Sequence, residues 1–351
     1  MLFKIREIAV IICVIFLISC KVDPKILPIS PSNELKEITP VGFPNANYTF
    51  STNIISENKF ILGRALFYET LLSKNNTISC GSCHQQYTGF ANADHDLSHG
   101  VNNLRGQRNA SALFNLVWHP YFMHDGGINH IEVQPLAPIA NVIEMGEDIN
   151  HVIEKLQASD KYKTLFKNAF GTDEVTSDRL LKAITQFQGL IYSYNSKYDY
   201  VKRKEKNISF TSQEARGYNL FLANCNACHT EPLFSDFKFR NNGLLMDPFL
   251  KDSGRYQIEK LPENTFRFKT PSLRNVALTF PYMHDGRFKS IEQCLNHYTN
   301  PIGNLVNLDP LIPQAGILLS ESQKSDIISF LGTLTDTVFT KDMRFADPNF
   351  H

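Results

Sequence analysis

The feature that most constrains this chain is a five-residue pattern, C-x-x-C-H, that occurs twice. The first copy runs from Cys80 to His84 and the second from Cys225 to His229. Two thiols three positions apart reach the two vinyl groups of one haem, and the imidazole that follows meets the iron from the proximal side. A thioredoxin-like pair, a zinc site or plain disulfides are compatible with the cysteines alone, but the histidine after both pairs disfavours them. The pattern therefore predicts two covalently bound haem c groups, held by Cys80, Cys83, His84, Cys225, Cys228 and His229.

The haem motifs belong to a longer internal repeat. Residues 120–126 read P-Y-F-M-H-D-G and residues 281–286 read P-Y-M-H-D-G, and an Ile-Glu pair follows each of them. Self-similarity of this kind indicates the duplication of one structural unit. We therefore expect two haem domains, at residues 54–200 and 201–351.

Apolar residues spaced near the helical period predict helices between and after the haem motifs. The pattern covers residues 149–166 and 180–191, with Ser177 as the predicted cap of the second stretch. Near the end of the chain, Ser320 and Gln323 resemble a capping box before a last helix. No alternating pattern of comparable strength predicts strands. The expected fold class is mainly α, with two cytochrome c-like haem domains related by an internal repeat and long loops.

The N-terminus has the pattern of an export signal. Lys4 and Arg6 precede an apolar run of about eleven residues, which is short against the roughly 20 that span a bilayer as an uncleaved anchor. The run ends in L-I-S-C at Cys20, which resembles a bacterial lipobox and implies cleavage before Cys20 and a lipid on it. Residues 1–20 are thus a predicted lipoprotein signal peptide, and residues 21–53, rich in Pro, Ser and Asn, a predicted tether. We expect an exported, periplasmic or cell-envelope lipoprotein that a lipid anchor holds at a membrane.

The overall charge gives no electrostatic reason to expect nucleic acid as a partner. Lys and Arg together number 35, as do Asp and Glu, so the formal net charge is zero. Binding to nucleic acid draws on an excess of basic residues that neutralise phosphates. We therefore expect no nucleic-acid partner.

Five segments together make the sequence similar to the bacterial di-haem cytochrome c peroxidase family, which includes the MauG enzymes of methylamine dehydrogenase maturation. They are the two haem motifs and residues 62–67, 141–146 and 270–279. In this family the N-terminal haem is peroxidatic and the C-terminal haem receives electrons from a donor protein. The resemblance implies an oxidoreductase that reduces hydrogen peroxide to water, with a small cytochrome or cupredoxin docking near the second haem. It is also compatible with a homodimer.

The resemblance also assigns residues around the peroxidatic haem. Glu144 matches the acid–base residue of the family, and Gln134 matches its distal hydrogen-bonding group. His99 matches the histidine that closes this haem in many members until the other haem is reduced. His95, four residues away, is the alternative. Without the family, Glu144 reads as a surface carboxylate and Gln134 as a polar loop residue.

Two positions depart from the typical peroxidase. Tyr298 stands where those enzymes have an axial methionine, as in the MauG branch, and Met283 and His297 are alternative ligands nearby. His124 stands where the family usually has a tryptophan between the haems, and the single tryptophan, Trp118, lies six residues earlier. These departures leave two alternatives open: a MauG-like di-haem oxidase acting on a protein substrate, and an electron-transfer protein without catalysis.

The resemblance further implies a calcium ion between the two domains. The family binds it through an asparagine side chain and carbonyls around a Thr-x-Pro turn, which match Asn109, Thr279 and Pro281. Oxygen ligands of this mixed kind suit calcium. As turn-forming residues, the same three are also compatible with a loop that holds no ion.

Overall fold

Helices dominate the computed structural model, which describes residues 35–302 and 305–349. The predicted signal peptide, its lipidation site Cys20 and the first part of the predicted tether lie outside the described residues. The α-helices are α1 (Glu57–Phe67), α2 (Cys80–Cys83), α3 (Leu136–Ala140), α4 (Ile149–Gln157), α5 (Asp160–Phe170), α6 (Ser177–Gly189), α7 (Lys197–Arg203), α8 (Ser212–Asn224), α9 (Tyr256–Glu259), α10 (Ile291–Thr299), α11 (Glu321–Gly332) and α12 (Thr337–Thr340). Short 3-10 helices cover Phe50–Thr52, Thr70–Leu72, Gln86–Thr88, Val101–Asn103, Leu116–Trp118 and Pro262–Asn264.

Strands are confined, in the described part of the chain, to one small pair. Strand β1 (Phe239–Arg240) runs antiparallel to β2 (Phe268–Lys269), with Phe239 opposite Lys269. The prediction of a mainly α fold is therefore confirmed. None of the helices within residues 35–302 and 305–349 has the length and hydropathy that a membrane crossing requires.

Local capping explains where the helices begin and corrects two predicted boundaries. The capping box of Ser320 and Gln323 is present at the start of α11. Thr176, not Ser177, caps α6, because its side chain accepts a hydrogen bond from the Arg179 amide. The apolar stretch 149–166 forms two helices, since Ser159 adopts an extended backbone between them. Each of these two helices buries its own apolar stripe in the same core, which is why the spacing continues across the break.

The two halves repeat one close helix crossing. Helix α1 packs against α6, and α8 packs against α11. Gly63 of α1 faces the Ala183 carbonyl, and Gly217 of α8 faces the Asp326 carbonyl, so closely that a Cβ atom on either glycine would overlap the carbonyl oxygen. Both crossings therefore need a residue without a side chain.

An alanine at either crossing is expected to force its two helices apart. We expect Gly63→Ala and Gly217→Ala each to lower the free energy of unfolding by about 1–3 kcal/mol, because overpacking displaces backbone as well as side chains. Gly332→Ala is the matched control, since a Cβ there meets no atom within 4 Å. Urea unfolding of the three variants measures the difference, and an effect of Gly332→Ala as large as the other two would contradict this explanation.

A pair of equivalent hydrogen bonds joins the two repeats. The Asn109 amide donates to the His284 carbonyl, and the Lys269 amide donates to the His124 carbonyl, both at 2.7 Å. The two bonds are related by the same sequence offset that aligns the two H-D-G segments. The internal repeat read from the sequence is therefore matched by equivalent contacts in the structure.

Residues at the start of the described chain lie on the N-terminal core, although the sequence analysis assigns residues 21–53 to a tether. The Phe50 side chain is buried. The indole Nε1 of Trp118 donates to the Pro44 carbonyl at 2.9 Å, and Asn47 donates to the Trp118 carbonyl. The packed part therefore begins before Ile54, because apolar side chains in this Pro- and Asn-rich stretch find partners in the core.

The last residues of the chain cross to the N-terminal core, although the sequence analysis places them in the C-terminal domain. We call residues 337–349 the C-terminal strap. Its Phe339 and Phe345 side chains are buried in the core cluster of the N-terminal half. Tyr68 donates its hydroxyl to the Phe345 carbonyl at 2.8 Å, and Gln86 donates to two further strap carbonyls. The strap thus covers the helix that precedes the first haem motif.

Candidate functional site

The two haem motifs face one continuous cavity of about 630 Å³. This volume lies within the range of cofactor and ligand pockets. Residues from both halves of the repeat line the cavity. They include all six predicted attachment residues, Cys80, Cys83, His84, Cys225, Cys228 and His229.

The two motif histidines have the hydrogen bonds that suit iron ligands. His84 Nδ1 lies 2.9 Å from the Phe90 carbonyl oxygen, and His229 Nδ1 lies 3.1 Å from the Pro271 carbonyl oxygen. A carbonyl at this position accepts a hydrogen bond from Nδ1–H, which keeps the proton on Nδ1 and leaves the Nε2 lone pair for a metal. Burial lowers the pKa of both imidazoles, which favours the neutral, ligating form. The donor set therefore fits a haem iron on each side.

The cysteines of the motifs do not resemble a redox-active pair. None of the five described cysteines forms a disulfide. Burial raises the pKa of Cys80 and of Cys225 to about 12, whereas redox-active C-x-x-C pairs have a lowered thiol pKa. Helix α2 presents both thiols of the first motif from a single turn, which matches the geometry of attachment to one haem.

Gln134 places an unpartnered acceptor beside the cavity. Its side chain is 9% exposed, and its Oε1 atom has no hydrogen-bond partner. A buried acceptor without a donor costs free energy. Because Gln134 lines the cavity, a molecule bound there with an O–H group would satisfy this oxygen.

Glu144 lies in the same cavity with a raised pKa. Burial raises the pKa of its carboxyl, while Asn141 and the more distant Arg108 oppose that effect. The Glu144 carbonyl accepts a hydrogen bond from the Val101 amide at 2.7 Å, which fixes the turn that carries the carboxyl. Because its pKa is raised, this carboxyl group keeps its proton up to a higher pH than an exposed glutamate does, which suits a group that both takes up and returns a proton.

The geometry favours His99 over His95 as the residue beside the first haem motif. His99 lines the cavity, whereas His95 is exposed and packs its ring against His99 at 4.3 Å between centroids. The Cys83 thiol also lies 3.6 Å from the His99 carbonyl oxygen. Gly100 allows this loop to pack directly on the Glu144 turn, because a Cβ there would overlap its backbone.

Tyr298 and Met283 both line the cavity in the C-terminal half. Asn242 Nδ2 lies 3.4 Å from the Tyr298 hydroxyl oxygen and 3.6 Å from the Met283 sulphur. His297, the third candidate ligand, instead has its Nε2 at 2.9 Å from the Asn242 carbonyl oxygen. Burial raises the pKa of Tyr298 to about 12. The geometry thus favours Tyr298 and Met283 over His297.

His124, and not Trp118, lines the cavity that the residues of both haem motifs also line. Its Nε2 is 2.9 Å from the Asn109 carbonyl oxygen, and burial lowers its pKa to about 4, so the ring is neutral. Trp118 is buried in the N-terminal core, where Pro44 binds its indole nitrogen. A shift of the tryptophan into the position of His124 would require this packing to be broken.

The three residues of the predicted calcium site lie close to the same cavity. Asn109, Thr279 and Pro281 all contribute to its lining. Asn109 Nδ2 donates to the Asp96 carbonyl at 3.0 Å, so its Oδ1 is the end that remains for a cation. The described residues contain no group of three or more His, Cys, Asp or Glu placed to hold a metal. An amide oxygen with carbonyls is the donor set that fits calcium here.

Sequence reasoning missed two polar residues of the cavity wall. Arg108 forms ion pairs with Asp125 and Asp252, each at 2.6 Å, and so joins the two repeats. Asn242 contacts both the Tyr298 hydroxyl and the Met283 sulphur. Arg108 precedes Asn109, which was a usable signal, but nothing in the local sequence around Asn242 marks it.

Comparisons with known proteins identify a family of similar proteins. The sequence profile described as di-haem cytochrome c peroxidase matches residues 57–207. The methylamine utilization protein MauG of Methylorubrum extorquens is 31% identical over 286 residues, covering 80% of this chain and 79% of that protein. Cytochrome c551 peroxidase of Nitrosomonas europaea is 33% identical over 278 residues, covering 78% and 79%. A MauG-like protein associated with microbial copper homeostasis has a crystal structure that matches with a TM-score of 0.80 at 30% identity, covering 88% of this chain and 98% of that one.

Proposed function

The chain belongs to the di-haem cytochrome c peroxidase and MauG family, and from this membership we propose that it reduces hydrogen peroxide to water. As a member of this family, it is an oxidoreductase with two haem groups. We propose that a small cytochrome or cupredoxin supplies the electrons at the C-terminal haem. Two electrons and two protons convert one hydrogen peroxide into two water molecules.

The observation that carries the proposal is that Glu144 and Gln134 line the same cavity as His84, and that the buried Gln134 Oε1 atom has no hydrogen-bond partner. A haem iron, when bound, supplies the site where peroxide oxygen coordinates and is reduced. Gln134 Oε1 accepts the O–H group of the peroxide and orients it. Glu144 takes a proton from the near oxygen and returns it to the far oxygen, which leaves as water. A polar pair of this kind would have little use in a protein that only transfers electrons.

Several finer assignments belong to the same proposal. We assign covalent c-type attachment to the two motifs, His99 as a distal ligand of the first haem and Tyr298 as a distal ligand of the second. A calcium ion at Asn109, Thr279 and Pro281 would be bound by oxygen atoms alone. Export to the periplasm or cell envelope, a lipid anchor at Cys20 and a homodimer complete the proposal.

A MauG-like oxidase acting on a protein substrate is the second candidate function. Tyr298 favours it, because a tyrosine oxygen at a haem stabilises ferric iron and lowers its potential. Relatives named MauG at about 30% identity favour it as well. His124 in place of the family tryptophan counts against it.

The deciding experiment follows the haem-loaded protein with hydrogen peroxide, with and without a reduced cytochrome donor. Optical and EPR spectra are taken in the oxidised and half-reduced states. Peroxide-dependent oxidation of the donor, with one high-spin haem, is the result expected for the peroxidase. A long-lived, doubly oxidised species that ignores the donor indicates the MauG-like oxidase. Two low-spin haems that do not react with peroxide indicate electron transfer alone.

The rate of the peroxide reaction is expected to fall as the pH falls. Glu144 must be deprotonated to take the first proton, and a base is lost as the pH drops through its pKa. Because burial raises this pKa, the loss is expected at a higher pH than for an exposed glutamate. Stopped-flow rates of the half-reduced protein with peroxide, recorded across pH, measure the effect. The acid limb is expected to vanish in Glu144→Gln, and its survival there would assign it to another group.

A further inference from the structure

Asn242 connects two candidate ligands at the C-terminal haem. Its Oδ1 accepts a hydrogen bond from the Leu244 amide at 3.2 Å, within its own turn. This contact assigns the two ends of the amide, because the oxygen faces the backbone and the nitrogen faces the cavity. The nitrogen carries two N–H donors, and it lies 3.4 Å from the Tyr298 hydroxyl oxygen and 3.6 Å from the Met283 sulphur. One side chain therefore holds an oxygen donor and a sulphur donor at the same place.

The turn that carries Asn242 is tied to the helix that carries Tyr298. The Asn242 carbonyl oxygen lies 2.9 Å from Nε2 of His297, the residue before Tyr298 in α10. Gly243 follows with a φ of +81°, a left-handed conformation that favours glycine. Met283 itself has a φ of +72°, which is uncommon for a residue with a long side chain. The hydrogen bond and the two turns thus hold the Asn242 amide beside both the Tyr298 oxygen and the Met283 sulphur.

We propose that Met283 replaces Tyr298 as the distal ligand of the C-terminal haem when that haem is reduced, and that Asn242 is the positioning residue for both. The inference rests on the proposed haem attachment at Cys225 and Cys228. A tyrosine oxygen is a hard donor that favours ferric iron, whereas a thioether is a soft donor that raises the potential. One electron from the donor protein would reduce an iron held by His229. The Tyr298 oxygen would then leave the iron and take up one proton from water, and a sulphur lone pair of Met283 would form the new bond.

This exchange would change how the C-terminal half handles electrons. With Tyr298 bound, the oxidised state is stabilised. With Met283 bound, the reduced state of the C-terminal haem is stabilised. An electron received from the donor then stays on this haem until it is transferred to the N-terminal haem. Such a device uses two ligands and one amide, all of which line the cavity.

The test compares the full haem-loaded protein with Tyr298→Phe, Met283→Leu and the double variant. Met246→Leu is the matched control, because Met246 is 45% exposed and is not part of the cavity lining. In the ferrous state, magnetic circular dichroism is expected to show a low-spin C-terminal haem in the original protein and in Met246→Leu. The same haem is expected to become high-spin in Met283→Leu. In the ferric state, Tyr298→Phe is expected to gain the far-red charge-transfer band of a thioether bound to ferric haem. The double variant is expected to lack this band.

Asn242→Leu tests the positioning role. Introduced into Tyr298→Phe, it is expected to weaken the thioether band while the haem content stays the same, since the sulphur loses its anchoring amide. Equal bands with and without Asn242 would overturn that role.

Ligand exchange itself is overturned by identical ferrous spectra of the original protein and Met283→Leu, or by the absence of the band in Tyr298→Phe. Haem content and peroxide turnover, measured on the same samples, separate this outcome from a failure of the proposed function. Two loaded haems and intact turnover with unchanged Met283→Leu spectra overturn the exchange alone. A C-terminal motif that carries no haem overturns the premise as well as the exchange.

Discussion

Glu144→Gln is expected to slow peroxide-dependent oxidation of a reduced donor by roughly 10²–10⁴-fold, the usual contribution of a positioned acid–base group. Glutamine has nearly the same size and can still form hydrogen bonds, but it cannot accept a proton at the pH of the assay. The turn should keep its shape, because the Glu144 backbone carbonyl is bound by the Val101 amide. We expect both haems to remain loaded. Steady-state oxidation of a reduced small cytochrome measures the loss.

Glu154→Gln is the matched control for this prediction. Glu154 is an exposed residue of α4, so the same chemical change there removes a carboxylate that has no access to the cavity. We expect its turnover to equal that of the original protein. If Glu144→Gln also kept full turnover with loaded haems, a group other than Glu144 would have to move the proton.

Phe345→Ala is expected to lower the free energy of unfolding by about 3–5 kcal/mol. The ring is only 4% exposed and packs edge-on against Phe60 and Phe187, with centroids 5.9 and 6.1 Å away. Its removal leaves a cavity where the C-terminal strap meets the N-terminal core. Urea unfolding of the haem-loaded protein, followed by circular dichroism, measures the change.

Phe249→Ala is the control, because Phe249 is 91% exposed and the same truncation there removes little buried apolar surface. A change within about 0.5 kcal/mol is expected for it. Equal effects of the two variants would show that the strap does not stabilise the N-terminal core.

Phe345→Ala is also expected to lower the haem content of the first motif more than that of the second. Tyr68 donates its hydroxyl to the Phe345 carbonyl, and its ring lies against Gly81 of the first motif, where a Cβ would overlap it. Phe345→Ala keeps this carbonyl but removes the ring that anchors the strap, so we expect a weaker hold on the Tyr68 side chain that supports the turn of Cys80 and Cys83. No such contact reaches from the strap to the second motif among the described hydrogen bonds.

Features within a few residues of one another could be read from the sequence alone. The haem motifs place their thiols and imidazole within one turn, so spacing is enough to indicate the chemistry. The capping box of Ser320 and Gln323 is local in the same way. The internal repeat was visible because both copies kept the same residues in the same order. Membership of the family followed from these features, and the relatives agree with it.

Choices between nearby alternatives depended on contacts that the local sequence does not contain. The sequence favoured His99 and left His95 as the alternative, and the folded loop brings His99 to the cavity. Met283 and Tyr298 are 15 residues apart along the chain, and Asn242 reaches both because the turn at Gly243 packs against α10. Trp118 is buried in the N-terminal core, where its indole N–H donates to the Pro44 carbonyl, so it does not take the place of His124.

From the sequence alone, the haem motifs predicted the cofactor, and the repeat and the mainly α class could be recognised, because motif spacing and helix capping depend on residues a few positions apart. The tertiary structure alone decided which distal residues face the cavity, how Asn242 holds two of them, and that the C-terminal strap completes the N-terminal core. These contacts join residues far apart in the chain, and their free energy comes from burial and hydrogen bonds that exist only once both halves have folded.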